Sequence, residues 1–243
     1  MSQIRYEMNA LNYNDIPGNP IVYWVSKSII NDFKHGTALG DVAPTKKGLD
    51  TGNNDYFLKY WFEVSREKIG TECYDASSFL KSKKKWALHD KGGEFRKWFG
   101  NQEWIINWEN NACELRHAKA NLRSERYYFN LAITWSALSS GKISFRLSDY
   151  GAISNTAGSS IYPTKENVDY LIAFMNSCVS QMILDMISPT LNYSAGPVSE
   201  VPIIFEESAI EKIKDFVAAN ISIAKDDWNY YEYSLNFKKH PLI

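Results

Sequence analysis

The sequence has few cysteines and no long hydrophobic run, and each of these features argues against certain classes of protein. Its 243 residues include three cysteines, Cys73, Cys113 and Cys178, with no C-x-x-C pair. Such spacing argues against a disulfide scaffold or structural zinc and suits a reducing compartment, so we expect a cytoplasmic protein. No stretch approaches about 18 uninterrupted apolar residues, which argues against a membrane span. The N-terminal segment lacks the apolar core of a signal peptide.

Recognisable catalytic motifs are also absent. No two of the four histidines lie three to five residues apart, so they lack the spacing of metal ligands. The chain contains neither of the glycine-rich loops that cradle phosphates in nucleotide-binding proteins. Gly158-Ser159-Ser160 is not a nucleophile elbow, because the last glycine of that motif is missing. We therefore predict no catalytic residue, no metal and no cofactor site in this chain.

Charge is unevenly distributed, although the formal net charge is only -1. Residues 81–126 carry eleven basic and six acidic side chains, whereas residues 200–232 carry three basic and eight acidic ones. A basic segment that also holds aromatic residues can follow a phosphate backbone and stack on bases. The alternative is a solvated face over a tryptophan-rich core.

Hydrophobic periodicity predicts an α+β fold in which helices flank a β-rich middle. We expect helices over residues 21–33, 167–187 and 208–224, with Pro20 in the first turn of the first one. Ser208 and Glu211 have capping-box spacing at the start of the last helix. A turn is expected at Gly196-Pro197. Short strands are expected within residues 56–64, 86–108, 127–135, 142–147, 151–162 and 201–205.

Two polar loops are the best candidates for contact with a nucleic acid. Lysine and arginine meet phosphates, while asparagine offers a donor and an acceptor to a base edge. The alternative is that glycine and asparagine are there for turn geometry, and that Arg96 pairs with Glu94 or Glu103. The candidates from residues 46–55 and 91–101 are Lys46, Lys47, Thr51, Asn53, Asn54, Lys91, Arg96 and Lys97.

A series of motifs then carries a family resemblance over nearly the whole chain. They are IPGNPIVYW (16–24), GLDTGNNDYFLKYWFEV (48–64), KGGEFRKWFGN (91–101), AGSSIYP (157–163), LIAFMNS (171–177), PTLNYSAG (189–196), VPI (201–203) and DDWNYYEYSLNF with HPLI (226–243). In this order they resemble the C-terminal specificity part of the adenine-specific DNA methyltransferases of BREX phage-defence systems, the PglX family. The later motifs also resemble target-recognition domains of type I and type IIG restriction-modification enzymes.

The resemblance implies a specificity-subunit-like organisation. Residues 1–35 would form an N-terminal linker and helix, residues 36–205 a β-rich target-recognition domain, and residues 206–243 the start of a helical docking region. The partners would be double-stranded DNA, the methyltransferase catalytic region and other defence-system subunits. Further DNA contacts would come from Ser159, Ser160, Asn192 and Tyr193, although a turn between helices is an equal alternative for the last two.

The family's S-adenosylmethionine-binding and Asn-Pro-Pro-Tyr motifs are missing from this chain. We therefore expect S-adenosylmethionine to bind a catalytic region outside it, and expect the sequence to be a fragment or a split gene product. The sequence also departs from the family at Asn53 and Tyr56, where an acidic residue and an arginine are usual. Two other interpretations of the function stay open: a protein-interaction module that docks to the methyltransferase region or a phage inhibitor, and a carbohydrate-binding domain.

Overall fold

The computed structural model describes residues 16–139, 141–149, 151–240 and 242–243. The signal-peptide argument concerns the first fifteen residues and lies outside the described residues, as does Pro241 of the last quoted motif. Short helices and short strands alternate along the chain, and the longest helix comes at the end. The predicted α+β class is confirmed.

Nine α-helices are found in the described ranges: α1 Lys27–His35, α2 Leu39–Val42, α3 Asn54–Phe57, α4 Ala76–Ser82, α5 Glu109–His117, α6 Val168–Met175, α7 Cys178–Ile187, α8 Ala195–Ser199 and α9 Ile210–Asn229. The strands of the same ranges are β1 Thr37–Ala38, β2 Thr45–Lys46, β3 Leu58–Tyr60, β4 Ile69–Gly70, β5 Trp86–Asp90, β6 Trp104–Asn107, β7 Ala132–Trp135, β8 Phe145–Ser148, β9 Ile153–Ser154, β10 Ser160–Ile161 and β11 Pro202–Ile203. Five of the six predicted β segments therefore contain at least one shorter strand, and the sixth, residues 142–147, overlaps β8, which continues one residue further.

The strands form two sheets and one separate pair. In the first sheet the order is β3-β6-β5-β4, with β9 also paired to β5. Strands β4 and β9 run parallel to β5, whereas β6 runs antiparallel to both of its neighbours. The second sheet, β2-β10-β7-β8, is antiparallel throughout. Strands β1 and β11 pair antiparallel and bring the two flanking parts of the chain together.

Both faces of the first sheet are buried, because β5 alternates between two apolar clusters. Ala87 packs with Trp108 and Phe129 on one face, and Trp86 and Leu88 pack on the other. The period-two geometry of a strand sends successive side chains to opposite faces. The largest cluster joins the second sheet to α1, α6, α7 and one side of α9. The site described below lies where these two sheets meet.

The first helix starts later than predicted. Ser26, not Pro20, begins α1, because its Oγ accepts a hydrogen bond from the backbone N–H of Ile29 at 3.4 Å. The residues before it form turns, in which Val25 N–H donates to Val22 O at 3.0 Å. The helix ends at His35, two residues after the predicted end, and Gly36 is its C-terminal cap. The apolar spacing over residues 21–25 thus comes from a packed turn rather than a helix.

The helix expected over residues 167–187 is two helices that meet at an angle of 69°. Asn176 holds the break by a long-range contact: its Oδ1 accepts from Phe145 N–H at 3.1 Å, and its Nδ2 donates to Phe145 O at 2.9 Å. Ser177 then caps α7 by accepting from Ser180 N–H at 3.1 Å. Hydrophobic periodicity contained no sign of this break.

Two further predictions about the C-terminal part are wrong. Ser208 does not cap α9: it lies in a 3-10 turn, where its N–H donates to Glu206 Oε1 at 3.3 Å, and α9 begins at Ile210 and continues to Asn229. Gly196-Pro197 is part of α8 rather than a turn. A proline fits there because the first turn of a helix needs no intrahelical N–H donor.

Within the described ranges, no single helix has both the length and the apolar character to cross a membrane. The bent pair α6–α7 meets those two criteria together, by length and composition only.

Candidate nucleic-acid interface

The first candidate loop, residues 46–55, is held on two sides by backbone hydrogen bonds. On one side Leu49 N–H donates to Ser154 O at 2.9 Å, and Thr156 N–H donates to Leu49 O at 3.0 Å. On the other side Asp50 and Asn121 exchange both backbone bonds, at 3.0 and 2.9 Å. The loop is therefore a fixed connection between β9 and the segment around residue 121.

Most polar side chains of this loop stabilise the loop itself. Thr51 is buried and its Oγ1 donates to Asn54 Oδ1 at 2.6 Å. Asn53 caps α3, because its Oδ1 accepts from Tyr56 N–H at 3.2 Å. The turn-geometry alternative thus accounts for these three polar residues, although both asparagines also reach solvent.

The two lysines of the loop differ in exposure. Lys47 is exposed, whereas Lys46 is half-buried in β2, opposite Ser160 of β10. A lysine stem can lie along apolar surface while its ammonium stays in water. Lys47 is therefore the better placed of the two to meet a phosphate.

The second candidate loop, residues 91–101, divides into two parts with different surroundings. Its first residue, Lys91, packs on β6: its Nζ lies 3.6 Å from the centroid of the Trp104 ring. Partial burial lowers the pKa of Lys91, and the negative charge of Asp55 opposes that shift. Lys91 thus lies near enough to Asp55, the last residue of the first loop, to be affected by its charge.

Arg96 and Lys97 are engaged inside the protein. Arg96 pairs with Asp227 of α9 at 2.8 Å, rather than with Glu94 or Glu103. Its guanidinium carbon also lies 5.0 Å from the Trp228 ring centroid and 4.7 Å from that of Tyr231. Lys97 Nζ donates to Asn176 O at 2.6 Å, at the end of α6. The two side chains connect the loop to the helices.

The four later candidates lie mostly in the interior. Ser159 and Ser160 are fully buried, and Ser159 O accepts from Trp135 N–H at 3.1 Å. Tyr193 is also buried: its carbonyl accepts from Trp135 Nε1 at 2.8 Å and its hydroxyl donates to Asp185 Oδ1 at 3.1 Å. Of this group only Asn192 is exposed.

Residues 109–126 add a set of cations that the loop motifs do not contain. The acidic residues of this segment are engaged: Glu109 pairs with Lys85 at 3.0 Å, Glu125 pairs with Arg116, and Glu114 Oε2 accepts from Asn107 Nδ2 at 3.0 Å. The remaining basic side chains are exposed, and we call them the basic strip: Lys119, Arg123 and Arg126.

The basic strip keeps its positive charge. No carboxylate among the described residues lies within ion-pair distance of Lys119, Arg123 or Lys47. Arg126 lies over the Tyr127 ring, 4.8 Å from its centroid, which leaves its charge unneutralised as well. Because Asp50 is bonded to Asn121, the strip lies beside the first loop. The excess of basic residues over 81–126 was the signal that could have identified it.

Comparison with known proteins gives two similar sequences. The chain is 40% identical over 238 residues to the adenine-specific methyltransferase BrxX of Escherichia coli O9:H4 (strain HS), an alignment that covers 96% of the chain and 18% of BrxX. The resemblance to the PglX family is confirmed. The adenine-specific methyltransferase PglX of Lacticaseibacillus casei (strain Zhang) is 32% identical over 248 residues, or 98% of the chain and 20% of that protein.

The match is to one region of these methyltransferases. The chain spans about a fifth of the length of either BrxX or PglX. No protein-family model matches it. Both the first loop and the basic strip fall within the matched region, since the alignments cover 96% and 98% of the chain.

A buried polar cluster supports the site from behind. Ser148 Oγ of β8 donates to Asp90 Oδ2 of β5 at 2.6 Å, and Asn155 N–H donates to Asp90 O at 2.9 Å. The Asn155 amide also lies 3.1 Å from His89 Nε2. Complete burial lowers the pKa of His89 to about 3, so this imidazole is neutral at physiological pH. The cluster joins the two sheets immediately behind the first loop.

The described residues contain no group of three or more His, Cys, Asp or Glu side chains that could hold a metal ion. The described surface instead carries the cations of Lys47 and the basic strip, together with the exposed amides of Asn53 and Asn54. These are the groups that contact phosphates and base edges.

Proposed function

We propose that this chain is a DNA-recognition module of an adenine-specific DNA methyltransferase in a BREX-type phage-defence system. The observation that carries the proposal is the backbone pairing of Asp50 with Asn121, which places the loop of the exposed Lys47 against the segment that carries the basic strip. The similarity to BrxX and PglX supports the methyltransferase context.

The charge distribution explains how a protein of net charge -1 can bind DNA. Beside the strip, Glu109 and Glu125 are paired with Lys85 and Arg116, whereas Asp50 and Asp55 of the first loop are exposed. The exposed acids Glu211, Asp215 and Asp226 lie on α9. A duplex would therefore meet Lys119 and Arg123, which pair with no carboxylate of the described residues. Each phosphate that a cation neutralises releases counterions, and this release drives binding at low salt.

The chemistry of methylation would lie outside these residues. A catalytic region would bind S-adenosylmethionine and take the target adenine out of the stack, as enzymes that modify bases do. The present chain would position that region on the correct site. In this arrangement double-stranded DNA and the methyltransferase catalytic region are its partners, and further defence subunits could contact its other faces.

A binding measurement tests the proposal. Fluorescence anisotropy with a labelled duplex should show binding that weakens with salt, by a slope of about 0.9 in log affinity per log salt for each phosphate contact. Lys119→Glu should weaken binding, whereas Lys165→Glu, a reversal of an exposed lysine in the loop before α6, should not. The absence of binding at low salt, or equal losses in the two variants, would reject the proposal.

A protein-interaction module is the second candidate, and α9 favours it. Val217 and Trp228 are buried, but Phe216 and Ile223 are 58% and 68% exposed on the same helix. Exposed apolar groups at helical spacing are typical of docking faces. Phe216→Glu should then prevent co-purification with a co-expressed catalytic region without changing DNA affinity. If DNA binding is absent in the unmodified chain while co-purification occurs, this second function is the correct one.

A further inference from the structure

The chain makes an unusual turn at the start of α5. Asn110, Asn111 and Ala112 have φ values of 51°, 59° and 58°, so three consecutive residues that are not glycine are left-handed. This region costs most side chains free energy, and asparagine tolerates it better than other residues with a Cβ. Strained backbone of this kind is concentrated at functional sites.

The surrounding contacts hold the turn in place. Ala112 and Leu115 are buried with Trp108 in the apolar cluster below it. Arg116 Nε donates to Asn111 O at 3.0 Å, and Ala112 N–H donates to Trp108 O at 3.2 Å. The turn is therefore fixed before any ligand arrives, which lowers the entropic cost of binding.

The two asparagine side chains of this turn are exposed and unused. Among the described residues neither the Asn110 nor the Asn111 amide has a hydrogen-bond partner, whereas the Asn53 oxygen caps α3 and the Asn107 amide donates to Glu114. Both line a surface cavity of about 310 Å³, together with Cys113, Arg116 and His117.

We infer that Asn110 and Asn111 are the residues that read an adenine edge in the major groove of duplex DNA. An asparagine amide offers one donor and one acceptor, which matches N7 and the N6 amino group of adenine. The inference rests on the proposed function, because the basic strip, eight or more residues further along the same segment, would supply the phosphate contacts that fix the register.

Selection from a randomised duplex library, with the whole 243-residue chain as bait, tests this inference. Asn110→Gly and Asn111→Gly are the informative variants, because glycine adopts the left-handed region freely and only the amide is removed. We expect the unmodified chain to enrich an adenine at a fixed position, and each variant to lose roughly 5- to 150-fold of that preference. Lys119→Ala should instead weaken binding to all sequences equally.

The possible negative results distinguish the base-reading role of Asn110 and Asn111 from the proposed DNA-recognition function. If the unmodified chain binds with a sequence preference that both glycine variants keep, or binds with no preference, the assignment of Asn110 and Asn111 is overturned and DNA binding stands. If the chain binds no duplex even at low salt, the proposed function fails and the base-reading role fails with it. Matching thermal melts of the variants and the unmodified chain exclude unfolding as the cause of a lost preference.

Discussion

Asp50 and Asn121 exchange both of their backbone hydrogen bonds, at 3.0 and 2.9 Å, although they lie in distant parts of the sequence. This pair connects the first loop, which a sequence motif identifies, with the segment of the basic strip, which no motif identifies. Through it, the loop that carries Lys47 lies against the segment that carries the basic strip. A functional surface of this kind depends on the loop keeping its position against β9.

Gly48→Ala should displace the first loop. A Cβ on Gly48 would lie 2.0 Å from Ser154 O, a backbone atom that cannot move without breaking β9. We expect a loss of about 1–3 kcal/mol in the free energy of unfolding, as for other overpacked sites, and weaker DNA binding. Urea denaturation measures the first effect. Gly196→Ala, where nothing lies within 4 Å of the added Cβ, is the matched control; equal losses in both variants would contradict the account.

Arg96→Ala should lower stability rather than remove a DNA contact. The Asp227 carboxylate is 57% exposed, so the ion pair itself is worth little. The stacking of Arg96 on Trp228 and Tyr231 is expected to contribute more, for a total of about 1–2 kcal/mol. Arg123→Ala should show the opposite behaviour: its melting temperature should be unchanged and its affinity for DNA reduced. If Arg96→Ala leaves stability intact and abolishes DNA binding, Arg96 is a DNA contact after all.

Asn53→Ala should cost about 1 kcal/mol, because the Asn53 side chain caps α3. Asn53→Asp and Asn53→Ser retain a capping oxygen and should restore most of that stability. Urea midpoints of the three variants measure the effect. A base-reading role for Asn53 would be indicated instead if Asn53→Ser kept full stability but changed the preferred DNA sequence.

The stability of the fold should fall as the pH drops below about 6.5. Burial lowers the pKa of His89 to about 3 in the folded chain, while an unfolded histidine titrates near 6.5. Between these values the unfolded state binds a proton that the folded state does not. His89 therefore makes its full contribution to the free energy of unfolding above pH 6.5. Below pH 6.5, and down to about pH 3, the free energy of unfolding falls by up to about 1.4 kcal/mol per pH unit.

Urea denaturation between pH 6.5 and 5 measures this slope before most carboxylates titrate. His89→Gln should flatten it, whereas His35→Gln, at an exposed position, should leave it unchanged. An NMR titration of the His89 ring in the unmodified chain provides a second measurement that does not require the variant to fold. A ring that becomes protonated near pH 6.5 in the folded protein would refute the prediction.

Local patterns predicted the α+β class and the positions of the short strands because these depend on neighbouring residues. The break at Asn176 could not be predicted, since it depends on two hydrogen bonds to Phe145 of another element. Ser208 had a capping-box neighbour at the correct spacing, yet a competing bond to Glu206 placed it in a 3-10 turn.

The candidate site was predicted only in part, for a related reason. Glycine and lysine motifs identified the first loop and Lys91. They also identified Arg96 and Lys97, whose partners Asp227 and Asn176 lie far along the chain. The left-handed turn at Asn110 had no distinctive sequence signal, because two adjacent asparagines occur in ordinary turns as well. Charge counting over residues 81–126 was the better guide to the basic strip.

The salt dependence of duplex binding tests the central claim most directly. The unmodified chain and a triple variant, Lys47→Gln, Lys119→Gln and Arg123→Gln, should be titrated with one duplex between about 50 and 200 mM salt. The account predicts binding by the unmodified chain and a slope of log affinity against log salt reduced by about 3 in the variant, close to one per lost phosphate contact. Equal slopes, or no binding by the unmodified chain at the lowest salt, would contradict it.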